Sequence, residues 1–466
     1  MNQIHGQSRS WIKMINLFEY KNKVHFEEGL SELEIFLDEI WAKREKYSMY
    51  ADVNEEKIEI QRFLQFFHNT SDIKSNKYVG VIHFNGTKIN LLPKIFFDPQ
   101  REVNDSDIMH MQQHILWWLS YCRKIKFPNY MTSLGDTKSD FLEILIYLFA
   151  KYTRNLLGST VFQQYQEIHE KTSFIKGRID TPKYIDRSLA TGNWHHVPCI
   201  YDAFVMDNEF NRIVKYVATM LFHASTQAEN KKYLREILFI LDDVTDTSVS
   251  AEQCARIHFN PMFKDFETVR DYCTLFLQNS ISFNYKNELK LFAFLLPMEY
   301  VFEDFIYGFI EKELKEVRAV SQGKSIHLDE SKTFALKPDL FIQNGDQSFI
   351  ADTKYKIVYS DESDPKKGIS QTDLYQMLAY SVRFNVEHIN LYYPDTVMHS
   401  QRDSFDITIK NTMADDKETY IHAYQLPIIN RDLYDVTFGS GQSLQEIFEP
   451  LRLQLIERLR ESLKIM

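Results

Sequence analysis

With 466 residues, 44% apolar content and only 14 glycines and 12 prolines, the chain has core material for roughly two to four globular domains, which excludes a disordered or fibrous protein. A formal charge of −11 argues against strong autonomous DNA binding through phosphate neutralisation. Four scattered cysteines with no C-x-x-C pair, no secretory signal and no apolar run of membrane-spanning length read as a cytoplasmic protein with free thiols and no membrane contact.

In chain order, residues 1–158 read as an N-terminal α+β domain. Met14–Tyr20 resembles a short strand, and Leu30–Tyr47 has helical spacing. In Tyr78–Phe96, Val79, Val81 and His83 alternate with Gly80, Ile82 and Phe84 before Asn85-Gly86 and a second apolar run, Ile89–Leu92. That pattern predicts a hairpin, closed by Pro93-Lys94-Ile95. Helices are expected over Asp107–Tyr121 and Ser139–Leu156. His110 and His114 share the i, i+4 spacing of metal ligands, but no cysteine or third histidine joins them, so they read as core or surface residues.

Residues 159–283 read as a mostly helical middle region. Lys176 and Arg178 flank Gly177 and are open to two readings, phosphate contact or ordinary solvated charge. Asp207 is the expected N-cap of a helix running to about His223.

Residues 284–430 carry the chemistry. Met298, Val301, Phe302, Phe305, Ile306, Phe309 and Ile310 trace a helical stripe, with Glu303 beside it. Two apolar runs follow, Leu340–Ile342 and Phe349–Ala351, with Asn344-Gly345 between them. Asp339 precedes the first run and Asp352 follows the second. A four-residue loop, Asn344–Gln347, sets Asp339 directly opposite Asp352, and a two-residue turn at Asn344-Gly345 sets them diagonally. Either register keeps both acids and Lys354 on one sheet face, because side chains alternate with period two. Two carboxylates at one point repel unless a cation lies between them. A hard divalent cation held by two carboxylates, waters and phosphate oxygens meets that need, and the lysine then orients or deprotonates the attacking water. The plain alternative is a solvated face with one cross-strand ion pair. Gln376 and Tyr380 lie at i and i+4 on the next helix, and a strand ends at Asn390–Tyr393. Tyr375, Tyr392, Tyr393 and His388 read as structural, and Asp361–Lys367 as a loop. Thr419–Ile429 reads as a strand. A helical extension, residues 431–466, holds an amphipathic helix over Leu444–Leu463.

Pro338-Asp339, Asp352-Thr353-Lys354 and Gln376–Tyr380 resemble the PD-(D/E)xK nuclease signature with its Q-x-x-x-Y element. Extended by Tyr355-Lys356 after Lys354, and together with Leu92-Pro93-Lys94, Lys176-Gly177-Arg178, Asp207–Arg212 and Phe302-Glu303, the ordered set resembles the McrC-like subunits of McrBC-type restriction systems. The resemblance implies an α/β multidomain protein whose C-terminal domain is an αβββαβ nuclease core. It implies Mg²⁺ (or Mn²⁺) on Asp339 and Asp352, with the Thr353 carbonyl as a further ligand. Lys354 would activate water, Glu303 would hold a metal-bound water or second metal, and Gln376 and Tyr380 would orient the lysine or a phosphate. It also implies double-stranded DNA as substrate and a McrB-like AAA+ GTPase hexamer as partner, with the Tyr78–Phe96 hairpin as candidate docking finger. The chain has no G-x-x-x-x-G-K-[ST] loop, so no nucleotide is expected on this chain itself. An adaptor that activates an AAA+ ring without cutting, and a stand-alone RecB-like nuclease, remain alternatives.

Overall fold

The computed structural model describes residues 13–26, 29–43, 63–123, 141–285, 288–321, 326–345, 347–359, 363–399, 404–411, 417–434 and 444–465. It is a mixed α/β protein whose contacts group into two compact units. One comprises Met1–Ile144 with Gln278–Met466, and the other is Leu145–Leu277. Segments read separately as 1–158, 284–430 and 431–466 thus fall largely in a single unit.

The discontinuous unit contains a five-stranded sheet in the order Lys13–Phe18, Thr87–Leu92, Tyr78–Phe84, Glu288–Pro297 and Ser280–Tyr285. Tyr78–Phe84 is apolar on both faces, and Val79 and Ile82 are completely buried. Glu288–Pro297, from a segment assigned to the C-terminal region, pairs antiparallel along Tyr78–Phe84. Gly80 is required there, because it holds φ +147° and a Cβ would lie 1.9 Å from the Phe294 carbonyl oxygen. The expected hairpin therefore exists, as two inner strands of a sheet.

A second, six-stranded sheet runs Arg318–Ser321, Leu340–Asn344, Gln347–Thr353, His388–Pro394, Lys417–Leu426 and Ser404–Asn411. Its first three strands are antiparallel neighbours, and the next two join in parallel. The parallel pairing needs a crossover, supplied by helix Gln371–Phe384, whose Met377 and Tyr380 pack on Ile350, Ile389 and Leu391. Arg318–Ser321 is a strand that the apolar pattern did not place. Helices Met298–Glu313 and Leu444–Ser462 form where the stripes predict them. Asp361 lies outside the described residues; further along that loop Asp364 accepts from the Lys366 and Gly368 amides.

The continuous unit is less uniformly helical than its sequence suggests. Helices Glu209–Ala224 and Phe266–Asn279 meet at Phe162, whose ring lies 5.0–5.7 Å from those of Phe210, Phe259, Phe263 and Phe266, and Ala228–Ile240 packs on the first of them. From this core strands Gln164–Thr172 and Val197–Val205 run antiparallel as a ribbon, with Arg178–Ile179 added along the second strand. The first strand is almost wholly exposed. Gly177, at φ +68°, lets the chain approach the Ile200 carbonyl, 2.6 Å from where a Cβ would stand. Asn208, not Asp207, caps the following helix by accepting from the Asn211 amide. Asp207 is instead a bidentate partner of Arg212, at 2.7 and 3.0 Å.

Candidate active site

The hairpin Leu340–Thr353 resolves the register question. Gln343 faces Ser348, Asn344 faces Gln347, and Leu340 faces Ala351. One step beyond, Asp339 comes opposite Asp352. Asp339 Oδ2 accepts from the Thr353 amide at 2.7 Å and from its hydroxyl at 2.8 Å, which ties the two acid-bearing segments together. Asp352 is 1% exposed. Lys354 leaves the strand with its amide bonded to the Tyr392 carbonyl, and its ammonium forms an ion pair with Asp352 Oδ2.

The helix Gln371–Phe384 completes the arrangement. Gln376 Oε1 accepts from Lys354 Nζ at 3.3 Å, Gln376 Nε2 donates to the Tyr380 hydroxyl at 2.7 Å, and Tyr380 donates to the Lys337 carbonyl at 3.1 Å. The i, i+4 pair therefore connects the lysine to the residue two before Asp339. Glu303, on helix Met298–Glu313, lies near enough for its charge to act on Asp339 and Tyr380. All six residues singled out in the sequence thus converge at one end of the hairpin.

The electrostatics are those of crowded acids. Burial, reinforced by Glu303, pushes Asp339 up to about 6. Burial, reinforced by Asp339, pushes Asp352 up to about 7. Burial opposes the Lys354 ammonium, but Asp352 and Asp339 outweigh it and hold the amine above its ordinary value. Buried carboxylates that one lysine does not fully compensate attract a second cation. Asp352 Oδ2 receives no well-directed hydrogen bond, only the ion pair. Among the described residues no group of three or more His, Cys, Asp and Glu side chains forms a cage for a metal. The donor set suits an ion that keeps several waters and takes two carboxylates, as Mg²⁺ does, rather than zinc.

Two further residues belong to the site. Lys356 Nζ binds both oxygens of Asp373 at 2.8 and 3.0 Å, and the Asp373 charge acts on Asp352 and Lys354. The spacing carried a usable signal, because Lys356 is two beyond Lys354 and Asp373 one helical turn before Gln376. His114 is no ligand. It is fully buried, bonds the His110 carbonyl through Nδ1 at 2.7 Å and accepts from the Asn430 amide through Nε2 at 2.8 Å. Burial pushes it down to about 3, so it stays neutral. Tyr392 and Tyr393 are core residues, as expected.

Among the described residues no helix is long and apolar enough to cross a membrane. No curated protein matches the chain. Among solved structures, it is similar to a refined half-complex from the tetradecameric assembly of Thermococcus gammatolerans McrB AAA+ hexamers with bound McrC. The TM-score is 0.64 and the identity 18%, over 94% of this chain and 100% of that one, a likeness of fold. The Thermococcus gammatolerans McrBC complex solved by cryo-EM also matches, with a TM-score of 0.48 and 19% identity over 66% of this chain and 89% of that one. The profile of the family described as McrBC 5-methylcytosine restriction system component matches residues 73–394, well over half of the sequence. The chain belongs to that family.

Proposed function

We propose that this chain is the nuclease subunit of a McrBC-type restriction system, that its six-stranded sheet is the core of a PD-(D/E)xK nuclease, and that it hydrolyses DNA phosphodiester bonds. The observation that carries the reading is the convergence of Asp339, Asp352 and Lys354 at one hairpin end, with Gln376 on the lysine. Asp339 and Asp352 would hold Mg²⁺ or Mn²⁺, which when bound supplies charge stabilisation at the phosphate and a more acidic water. Lys354 orients that water and meets the developing negative charge. Gln376 holds the lysine, and Tyr380 holds Gln376. Glu303, whose charge reaches Asp339, would hold a metal-bound water or a second metal.

Nucleotide hydrolysis falls to a GTPase partner, an AAA+ hexamer of the kind named in the similar assembly. The exposed ribbon suits the docking role better than the buried hairpin does. Tyr165 and Phe204 pair across it at 5.0 Å while 77% and 48% exposed, and Phe174, Ile175 and Trp194 are exposed near its far end. Lys176 there lies 3.8 Å over the Tyr201 ring.

The test is cleavage of plasmid DNA by the chain co-purified with its AAA+ partner, with Mg²⁺ and GTP. Asp352→Ala should lower the rate by about two to three orders of magnitude and leave partner binding intact. Equal rates for parent and variant would refute the assignment.

A further inference from the structure

The residue between the two site lysines points the other way. Tyr355 is 3% exposed, and its hydroxyl donates to Glu19 Oε2 at 3.2 Å. Glu19 is itself 1% exposed, and the same oxygen accepts from the Lys94 amide at 3.1 Å. Glu19 is anchored in turn by its own amide, which donates to the Leu92 carbonyl at 3.0 Å. The Lys94 ammonium stands 4.4 Å over the Tyr355 ring, and the Phe302 ring, next to Glu303, lies 5.9 Å away. At this point the chain has left the sheet. The Lys356 amide bonds the Lys354 carbonyl at 2.8 Å, a three-residue turn centred on Tyr355. Such a turn has no ladder to hold it, so side-chain anchors fix its direction. Lys356 is anchored on Asp373, and Tyr355 on Glu19.

We propose that Glu19 and Tyr355 are a positioning pair for Lys354: an N-terminal carboxylate holds the tyrosine at the centre of the turn, and the turn aims the lysine at Asp352. This rests on the nuclease reading of the site. A buried carboxylate is costly unless its hydrogen bonds are satisfied, and here one oxygen serves both a backbone amide and the tyrosine. The pair is buried away from solvent, so it acts through geometry, where small displacements of a reacting group are expensive.

Cleavage by the full complex and lysine labelling of the metal-free chain together test it. Tyr355→Phe removes one oxygen and keeps the ring. It should lower the rate at saturating Mg²⁺ about tenfold and leave the half-saturating Mg²⁺ concentration unchanged, because the carboxylates sit on the hairpin rather than on the turn. Glu19→Ala should lose a similar factor, and the double variant no more than either single one. Glu19→Gln keeps an oxygen able to accept both bonds and should retain most of the rate. Without metal, acetic anhydride should label Lys354 several times faster in Tyr355→Phe than in the parent, read by mass spectrometry, because its ion pair with Asp352 loosens. Parent-like cleavage by Tyr355→Phe, multiplicative losses in the double variant, a rise in half-saturating Mg²⁺ that matches the lost rate, or unchanged Lys354 labelling would each overturn the proposal. A parent complex that cuts nothing would remove the nuclease reading, and the labelling would still report on the pair.

Discussion

Asn85-Gly86 and Asn344-Gly345 each mark an antiparallel hairpin, and the two hairpins differ in both register and surroundings. In the first, Phe84 pairs with Thr87, so Asn85 and Gly86 form the whole turn, both at positive φ. In the second, Asn344 still pairs, with Gln347, and the turn begins at Gly345. That displacement brings Asp339 opposite Asp352 instead of diagonal to it. The surroundings differ in chemistry rather than in place. Both hairpins have a strand on each side, but Tyr78–Phe84 is apolar on both faces, whereas Leu340–Thr353 carries its charges at the open end. The same dipeptide thus identifies a hairpin and says little about its register or about what its strand ends carry.

The contrast can be broken from either side. The largest effect is expected at the charged end, where Lys354→Met should lower DNA cleavage by roughly two orders of magnitude or more with little change in melting temperature. Ile82→Ala, in the buried hairpin, should do the reverse. It should cost about 2–5 kcal/mol in denaturant unfolding, and the folded fraction should keep its specific activity.

A third experiment concerns protons. Asp339 and Asp352 stand at about 6 and about 7, above their unfolded values, so in chelator their contribution to stability is present below about pH 4 and is lost as pH rises through 6 to 7. Asp352→Asn should therefore melt higher than the parent at pH 8 without metal, by on the order of 2 kcal/mol, and the gap should close towards pH 4. Added Mg²⁺ should raise the parent and leave the variant unmoved.

The smallest effect on the fold is expected on the ribbon. Tyr165→Ala combined with Phe204→Ala should change stability by only about 0.5 kcal/mol, as exposed substitutions do. If the ribbon docks the partner, the pair should weaken stimulation of its GTPase severalfold. Full stimulation would return the docking role to another surface.

Much of the site was legible because its parts are close in sequence and obey simple periods. Asp339, Asp352 and Lys354 follow from strand alternation, and Gln376 with Tyr380 from a helical turn. What escaped depends on distant segments. Glu19 and Tyr355 are 336 residues apart, and although Tyr355 lies in the lysine motif, nothing local ties it to a lone acid at the end of a strand. The pairing of Glu288–Pro297 with the first hairpin is also non-local, so no local pattern announces it. The ribbon was missed because Gln164–Thr172 is polar on both faces, which erases the alternation that marks a half-buried strand. At Asp207-Asn208 two good capping residues compete. The asparagine takes the cap, and the aspartate is drawn to Arg212.

The pairing of Tyr78–Phe84 with Glu288–Pro297 sets an order of events on the ribosome. The first of these strands emerges about two hundred residues ahead of the second, roughly ten to forty seconds at ordinary elongation speed. For that interval one edge of an apolar strand stands uncovered. Nascent chains halted before residue 288 should need holdase chaperones to stay in solution, and those released after residue 297 should need them less.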